Sequence, residues 1–317
     1  MKRVDQHHTS SGATKAQPKM PRSESTRSRQ QIGRFEITQQ VSQTEHLAIY
    51  VGWDPRFDRE VIIKSLSPSA FRSTDDQLKF QEQTRDARIL SHPSIIPVVG
   101  FGKIESHSFI AYERCPGIAL TDWLRQQSLP IEPMWTAVLV QFLADAVQHA
   151  HQRNLHHGGL SLSNIQVDPP ADPNQPWEPE QVRIMNYGLS SPLVVGELSP
   201  SVEQNVLEQN VPAGWLEDVW QRTAVDIRAL GWILLELLVG GRPTADRAGD
   251  DSLEVKKAAP NMDAEMNLIC LKCMGDPEGD RYETAFELAD ELIHWQTATL
   301  RSAEKPTYLK KYLPWSR

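Results

Sequence analysis

The fold is decided by Leu155-His156-His157-Gly158-Gly159-Leu160-Ser161-Leu162-Ser163-Asn164, a stretch that contains no acidic side chain and no lysine or arginine. Three of its residues stand three and four positions apart: His157, Leu160 and Asn164. Between them lie Gly159 and Ser161. Glycine has no side chain, so Gly159 can neither donate nor accept a proton through one. The stretch therefore contains no carboxylate, and His156 and His157 are its only side chains that titrate near neutral pH.

Six other motifs accompany this loop in a consistent order between residues 32 and 297. They read V-I-I-K at 61–64, S-H-P-S-I-I-P-V at 91–98, F-I-A-Y-E at 109–113, V-R-I-M-N-Y-G-L at 182–189, T-A-V-D-I-R-A-L-G at 223–231 and D-P-E-G-D-R-Y at 276–282. Together with the loop, they resemble the bacterial, eukaryotic-like Ser/Thr protein kinases. The resemblance implies an α+β fold of two lobes, a small β-rich lobe over residues 32–114 and a larger α-helical lobe over residues 115–297.

The hydrophobic pattern agrees with this order of lobes. Residues 34–64 contain short apolar runs separated by Asp, Pro and Gly, which predicts strands. Apolar residues at helical spacing predict helices over residues 75–90, 134–151, 226–239 and 284–297. Gly240-Gly241 follows the third of these segments and is typical of a helix C-terminus.

Charge is distributed unevenly along the chain. Residues 1–31 hold seven Lys or Arg and two Asp or Glu, a net charge of +5 within a total of −8, so the remainder carries a net charge of −13. The polar, basic tail predicts disorder. A docking arm for a partner or nucleic acid, a phosphoacceptor tail and a solubilising leader are all compatible with it. The main body is too acidic to suggest nucleic-acid binding. Residues 298–317 form a C-terminal extension.

A Pro-rich insertion occupies residues 168–181, just before the motif that contains Asn186. It holds five prolines and one tryptophan, Trp177. Segments of this composition are typical of surface loops. Two roles for Trp177 stay open, an anchor for a partner and local packing.

Cysteine and histidine usage argues against a disulfide framework and a metal site. Three cysteines in 317 residues are typical of a reducing compartment. With no apolar leader and no membrane-spanning stretch, this predicts a cytoplasmic protein. Cys270 and Cys273 form a lone C-x-x-C, which predicts small buried hydrophobes. Four histidines lie close together near the loop, but we expect no metal site from them: His149, His151, His156 and His157.

The resemblance also identifies the positions where phosphoryl-transfer chemistry is lost. It places Gly159 at the catalytic aspartate, Ser161 at the phosphate-contacting lysine and Asn186 at the metal-holding aspartate. Gln83 stands at the helix glutamate that pairs with the strand lysine. The segment 41–50, where the resemblance implies a Gly-rich loop, contains no glycine.

Some positions of a nucleotide cleft remain: Lys64, Gln83, Tyr112, Glu113, Asn164 and Asn186. The resemblance implies that Lys64 would meet phosphate, that Tyr112 is the gatekeeper and that the backbone after Glu113 would meet adenine. Two neutral amides form a poor Mg²⁺ site, because Mg²⁺ prefers charged oxygens. Lys64 therefore either supports weak, metal-independent ATP binding or is a structural cation held by Glu82 or another carboxylate.

These losses predict a catalytically inactive kinase-like domain, a pseudokinase that acts as a scaffold for a protein partner and has no resident cofactor. Two alternatives stay open. One is an active Ser/Thr kinase or other ATP-dependent transferase with a rebuilt site, using a carboxylate such as Asp168. The other is a switch that binds nucleotide without catalysis. For structural support we expect Asp226 in the central helix, and Arg281 paired with Glu217 rather than Glu203.

Overall fold

The N-terminal part of the chain is an antiparallel sheet of six strands with one helix packed on it. The computed structural model describes residues 30–172, 175–189, 219–241, 262–275 and 281–302. The strands are β1 (Gln31–Ile32), β2 (Phe35–Gln43), β3 (Leu47–Asp54), β4 (Arg59–Leu66), β5 (Val98–Ile104) and β6 (His107–Glu113). Their order in the sheet is β1-β2-β3-β4-β6-β5. The β4–β6 pairing brings Lys64 opposite Ile110 and Ile62 opposite Tyr112.

The helix α1 (Thr74–Ala87) begins and ends with local signals. The Ser73 hydroxyl accepts a hydrogen bond from the Asp76 amide at 3.1 Å, which satisfies one of the free amides of the first turn. Phe80, Thr84 and Ala87 form its buried face. The prediction of a helix over residues 75–90 is correct except that its last three residues form a turn.

The second lobe is helical, with a small sheet of β7 (Ile118–Ala119), β8 (Ile165–Val167) and β9 (Val182–Ile184) on its surface. Its described helices are α2 (Leu120–Leu124), α3 (Pro133–His151), α4 (Val219–Val239), α5 (Ala264–Met274) and α6 (Ala285–Ser302). Helix α4 begins seven residues before the predicted start, because no proline or glycine between 219 and 225 interrupts it. No helix in the described part of the chain is long and apolar enough to cross a membrane.

Helices α4 and α5 approach each other closely at a glycine. A Cβ atom added to Gly231 would lie 2.3 Å from the Cβ of Cys273, so only glycine fits there. Cys270 and Cys273 are buried and free, and burial raises the pKa of Cys270 to about 12. They are packing residues, as predicted. At the end of α4 the amides of Gly240 and Gly241 both donate to the Glu236 carbonyl at 3.1 Å, which confirms the predicted helix end.

The two lobes are joined by backbone hydrogen bonds between the segment after α1 and strand β9. The Ile96 amide donates to the Ile184 carbonyl, and the Ile184 amide donates to the Ser94 carbonyl, each at 2.9 Å. The two-lobed α+β fold predicted from the motifs is therefore present, and the cleft between the lobes lies beside this junction.

Candidate nucleotide cleft

Asp226, on the buried side of α4, holds the loop that decided the fold. Its carboxylate has no solvent exposure and accepts hydrogen bonds from the amides of His157 at 2.9 Å and Gly158 at 2.8 Å. The ring Nε2 of His151 lies 2.9 Å from the same carboxylate. Burial alone would raise the pKa of Asp226, but the hydrogen bond from His151 and the nearby histidines outweigh it and hold the pKa below its ordinary value. The predicted structural role of Asp226 agrees with these contacts.

The loop itself contains only neutral groups at the positions where kinase chemistry is expected. Gly158 takes a left-handed φ of 67°, which glycine adopts without strain. The side-chain Nδ2 of Asn164 donates to the Gly159 carbonyl at 2.6 Å. Ser161 forms a hydrogen bond of 2.9 Å with the hydroxyl of Ser163. The loop therefore closes on its own backbone and hydroxyls.

A chain of hydrogen bonds crosses the cleft from the strand lysine to this loop. The ammonium of Lys64, on β4, donates to Oδ1 of Asn186 at 2.7 Å. The Nδ2 of Asn186 donates to Oδ1 of Asn164 at 2.6 Å, and Asn164 donates to Gly159. We call these four residues the amide relay. It brings together three residues that the sequence placed in one site, although 122 positions separate Lys64 from Asn186.

In the amide relay, the Lys64 ammonium bonds a neutral amide oxygen. Among the described residues, no Asp or Glu makes an ion pair with Lys64, and none bonds Asn164 or Asn186. Burial lowers the pKa of Lys64 to about 8. Among the residues that the structure describes, neither Glu82 nor another carboxylate holds Lys64, because the side-chain amide oxygen of Asn186 is its partner.

Gln83, predicted at the place of the helix glutamate, does not bond Lys64. Its Oε1 is buried and accepts no hydrogen bond from the residues that the structure describes. A buried acceptor without a donor costs about 1–3 kcal/mol. Gln83 lies on α1 and Lys64 lies on β4, so no pair between these two side chains links the helix to the strand.

The back of the cleft is filled by two tyrosines. The hydroxyl of Tyr112 donates to the Tyr187 carbonyl at 3.0 Å, and burial raises the pKa of Tyr112 well above its usual value. The Tyr187 ring packs edge-on against His157, with the ring centres 5.0 Å apart. His157 in turn donates from Nε2 to the Met185 carbonyl at 2.8 Å. Buried aromatic side chains therefore occupy the position where the resemblance implies a gatekeeper.

Two further segments lie where the resemblance implies contacts to adenine and to phosphate. Where it implies adenine, the Glu113 carboxylate pairs with Arg59 at 2.6 Å and the Glu113 amide donates to the Pro97 carbonyl at 3.0 Å. Where it implies phosphate, residues 44–46 form the turn between β2 and β3. The Thr44 hydroxyl accepts from the Leu47 amide at 3.1 Å and the Thr44 amide donates to the Leu47 carbonyl at 2.8 Å. Side chains therefore occupy this turn where glycines would admit phosphate.

The donor set of the cleft does not suit Mg²⁺. The two amide oxygens that could face a metal already accept hydrogen bonds, and one of these comes from the Lys64 ammonium. A second cation beside Lys64 would be repelled, and no carboxylate is present in the relay to offset its charge. No group of three or more His, Cys, Asp or Glu that could hold a metal occurs among the described residues.

Comparison with known proteins agrees with this architecture. Residues 48–305 match the family model of the protein kinase domain. The chain belongs to the protein kinase family. The family predicted from the motifs is therefore confirmed, and the matched range includes the loop at 155–164, Lys64 and Tyr112.

Bacterial Ser/Thr kinases are among the proteins to which this chain is similar. The serine/threonine-protein kinase PknB of Mycolicibacterium smegmatis is 23% identical over 262 residues, and PrkC of Bacillus subtilis is 23% identical over 273 residues. These matches cover 77% and 82% of this chain but 40% of each relative, so the chain spans about two fifths of the length of these curated relatives. The PknI kinase domain of Mycobacterium tuberculosis superposes with a TM-score of 0.65 at 20% identity, over 86% of this chain and 99% of that chain.

The predicted pairing of Arg281 involves partners that the structure does not describe. Arg281 is exposed. Its predicted partner Glu217, and the alternative Glu203, lie outside the described residues. The pairing of Arg281 with Glu217 stays a prediction. Residues 1–29 and 190–218 also lie outside the described residues.

The Pro-rich insertion contains a cluster that the sequence pattern did not reveal. Trp177 is 9% exposed and packs edge-on against Trp123 of α2 and Trp135 of α3, with ring centres 5.8 Å apart in each case. The hydroxyl of Ser94 donates to the Pro179 carbonyl at 2.8 Å. Trp177 therefore packs locally and secures the insertion to the helical lobe.

Proposed function

We propose that this kinase-family chain is a pseudokinase, a domain that binds a protein partner and does not transfer phosphate. The observation that carries the proposal is the amide relay. In the relay, Lys64 bonds a neutral amide, the loop residue that would accept a proton is Gly159, and no carboxylate is present to hold a metal ion. Three free cysteines support a reducing compartment, so cytoplasmic location belongs to the same proposal.

Several independent defects act in the same direction. Loss of a general base costs roughly 10²–10⁴ in rate, and loss of metal-borne charge neutralisation removes the largest electrostatic contribution to phosphoryl transfer. The turn at 44–46 leaves phosphate without a glycine-lined cradle. Restoring one group therefore leaves the others missing.

A switch that binds nucleotide without catalysis is the second candidate, and the charge of Lys64 favours it. Lys64 is a cation with no anionic partner among the described residues, so a phosphate anion could replace Asn186 as its acceptor. Mg²⁺ bound to that phosphate would lie near the ammonium and weaken the attraction. The switch therefore predicts that free ATP binds better than Mg·ATP.

Transfer of radiolabelled γ-phosphate, to the chain itself and to a basic protein substrate, tests the pseudokinase. We expect no transfer by the wild type or by Gly159→Asp combined with Asn186→Asp, because the defects at Gln83, Ser161 and 44–46 remain. Wild-type transfer that Lys64→Met abolishes, and that Lys79→Met on the exposed face of α1 leaves intact, would show an active enzyme instead.

Thermal unfolding with ATP, with and without Mg²⁺ or Mn²⁺, separates the two candidates. A ligand at 100 times its Kd stabilises by about 2.7 kcal/mol. No shift supports the nucleotide-independent scaffold. A shift that Lys64→Met removes and that Mg²⁺ reduces supports the switch. A shift that requires the metal contradicts both and favours a rebuilt enzyme.

A further inference from the structure

One edge of the six-stranded sheet is left open along most of strand β2. Strand β1 has two residues and pairs only with the start of β2, opposite Phe35 and Glu36. The Ile37 amide then donates to the Gln30 carbonyl at 2.9 Å. Among the described residues, no strand continues this ladder along residues 38–43, all of which are exposed. We call residues 38–43 the open edge.

The open edge has few of the features that protect an edge strand from pairing. Natural edges carry charged residues, prolines or bulges. Residues 38–43 read T-Q-Q-V-S-Q, with no charge and no proline, and Val41 is 55% exposed. At the opposite edge, β5 carries the exposed Lys103, and the Arg34 guanidinium donates to the Val99 carbonyl at 2.9 Å. Two bulges of β2 against β3 are the only protection of the open edge, so its backbone is suited to pair with a further strand.

The register of β1 indicates which part of the chain reaches the open edge. β1 is antiparallel to β2, and the hydrogen bond from Ile37 to Gln30 continues their ladder, so the residues before Gln30 are directed along the open edge. In the same register residues 24–29 lie opposite it, apart from the extra residue that each bulge introduces. They read E-S-T-R-S-R and contain no proline or glycine, which would weaken a strand. Six residues of strand span about 20 Å, the length of the open edge.

The direct connection to β1 favours this segment over every other occupant. Of the segments outside the described residues, only residues 1–29 are joined to β1. A strand of six residues buries far less than the about 1,000 Å² of a stable interface between two proteins. A segment joined to Gln30 instead has an effective concentration on the order of millimolar at the open edge. In this register Arg29 also lies diagonally opposite Glu36, within reach of a long side chain.

We propose that residues 24–29 extend β1 and pair with the open edge of the same chain. The open edge is then an interaction surface within the molecule, and the basic tail is held along the first lobe by backbone hydrogen bonds. This proposal does not depend on whether the nucleotide cleft is active, because no residue of the amide relay takes part in it.

Hydrogen exchange in the full chain tests the pairing. Thr26→Pro combined with Ser28→Pro removes two amide donors that point toward β2 in this register, and proline disfavours pairing within a ladder. The amides of residues 38–43 should then exchange roughly three- to tenfold faster than in the wild type, because the edge opens more often. The matched control is Thr9→Pro combined with Ser11→Pro, the same residue types at the same spacing elsewhere in the tail. It should leave this exchange unchanged, and equal exchange in all three proteins would contradict the proposal.

Photo-crosslinking identifies what lies against the open edge. Val41→p-benzoylphenylalanine places a photoreactive ring at an exposed position, so the substitution does not disturb the core. We expect crosslinks within one chain to residues 24–29, read by mass spectrometry, and a lower yield when Thr26→Pro and Ser28→Pro are added. The matched control is Phe57→p-benzoylphenylalanine, 55% exposed in the turn between β3 and β4, which should give no such crosslinks.

Other occupants would overturn the proposal. Crosslinks between two chains, with exchange at residues 38–43 that slows as the protein concentration rises, would show that two copies pair edge to edge. Crosslinks from position 41 to a different segment of the same chain would assign the open edge to that segment. No crosslinks at all would show that the edge is free. Protection that is independent of concentration, together with crosslinks to residues 24–29, is the result that supports the extended β1.

Discussion

Asn186 differs from aspartate by one group, and that group changes what the cleft can hold. An amide both donates and accepts, so Asn186 accepts from Lys64 at 2.7 Å and donates to Asn164 at 2.6 Å. A carboxylate at this position could only accept. Asn186 also has a left-handed φ of 70°, a conformation that asparagine tolerates better than most residues. Asparagine therefore suits the backbone of this segment, and it forms part of a hydrogen-bond relay at the position where the resemblance implies a metal-holding aspartate.

Lys64 should titrate well below an ordinary lysine. Burial lowers its pKa to about 8, because no carboxylate in the described residues compensates the ammonium. Titration of the Lys64 side chain by NMR should give that value, and Asn186→Asp should raise it. A wild-type pKa of about 10 or more would show that the ammonium is solvated. Lys79, which pairs with Asp75 on the surface of α1, has a raised pKa and provides the reference lysine.

The same shift makes stability depend on pH at the alkaline end. Between pH 8 and 10.5 the unfolded chain keeps the Lys64 proton that the folded chain loses, so stability rises with pH in this window. The gain should be roughly 1–3 kcal/mol for a partly exposed group. Urea unfolding at pH 8 and pH 10 should show this gain in the wild type and in Lys79→Met, and should not show it in Lys64→Met. An equal gain in all three proteins would contradict the assignment.

At the scale of elements, the described residues of the Pro-rich insertion, 168–172 and 175–181, pack on the second lobe. Its tryptophan closes over α2 and α3, and its two arms are joined where the Asp168 amide donates to the Gln181 carbonyl at 2.8 Å. Asp168, the carboxylate considered for a rebuilt site, therefore stands at the base of the insertion, and it bonds no member of the amide relay. The insertion extends the β8–β9 connection and anchors it with aromatic contacts.

Removal of the anchoring tryptophan should destabilise the lobe. Trp177→Ala should cost about 2–4 kcal/mol, because it removes a buried ring and its two edge-on contacts. Trp177→Phe should retain most of this energy. Gln175→Ala, at an exposed position of the same insertion, should change the free energy of unfolding by less than about 0.5 kcal/mol. A cost for Trp177→Ala that matches the Gln175 control in urea unfolding would show that the insertion does not contribute to the fold.

At the scale of the whole molecule, the two lobes meet around His92. Its Nδ1 accepts from the Ser94 amide at 3.1 Å, its ring lies 5.3 Å from that of His149 on α3, and Glu180 of the insertion is the nearby carboxylate. Burial is the main cause that lowers the pKa of His92 to about 4, and His149 adds to this while Glu180 opposes it. The junction therefore contains a histidine that is neutral at neutral pH.

Acid should loosen this junction before it protonates most carboxylates. Between pH 6.5 and 4 the unfolded chain binds a proton at His92 that the folded chain does not, so stability falls as pH falls. His92→Asn keeps an acceptor for the Ser94 amide and removes the titration. It should reduce the loss of stability between pH 7 and pH 5 by about 1–2 kcal/mol. His107→Asn on exposed β6 is the control, and an identical pH dependence in both variants would exclude His92 as the cause.

The sequence by itself determined the order of the lobes, the end of α4 at Gly240-Gly241, the packing role of Cys270 and Cys273, and the missing side chain at Gly159. These properties depend on the identity of single residues and on contacts between residues close together in the sequence. Periodicity and motifs can therefore predict them. Only the tertiary structure decided that Lys64 bonds Asn186 instead of Glu82, and that Trp177 packs on α2 and α3. Those contacts join segments that are far apart in the sequence. Which side chains meet there depends on how the helices and strands pack around them, and the sequence pattern does not give that packing.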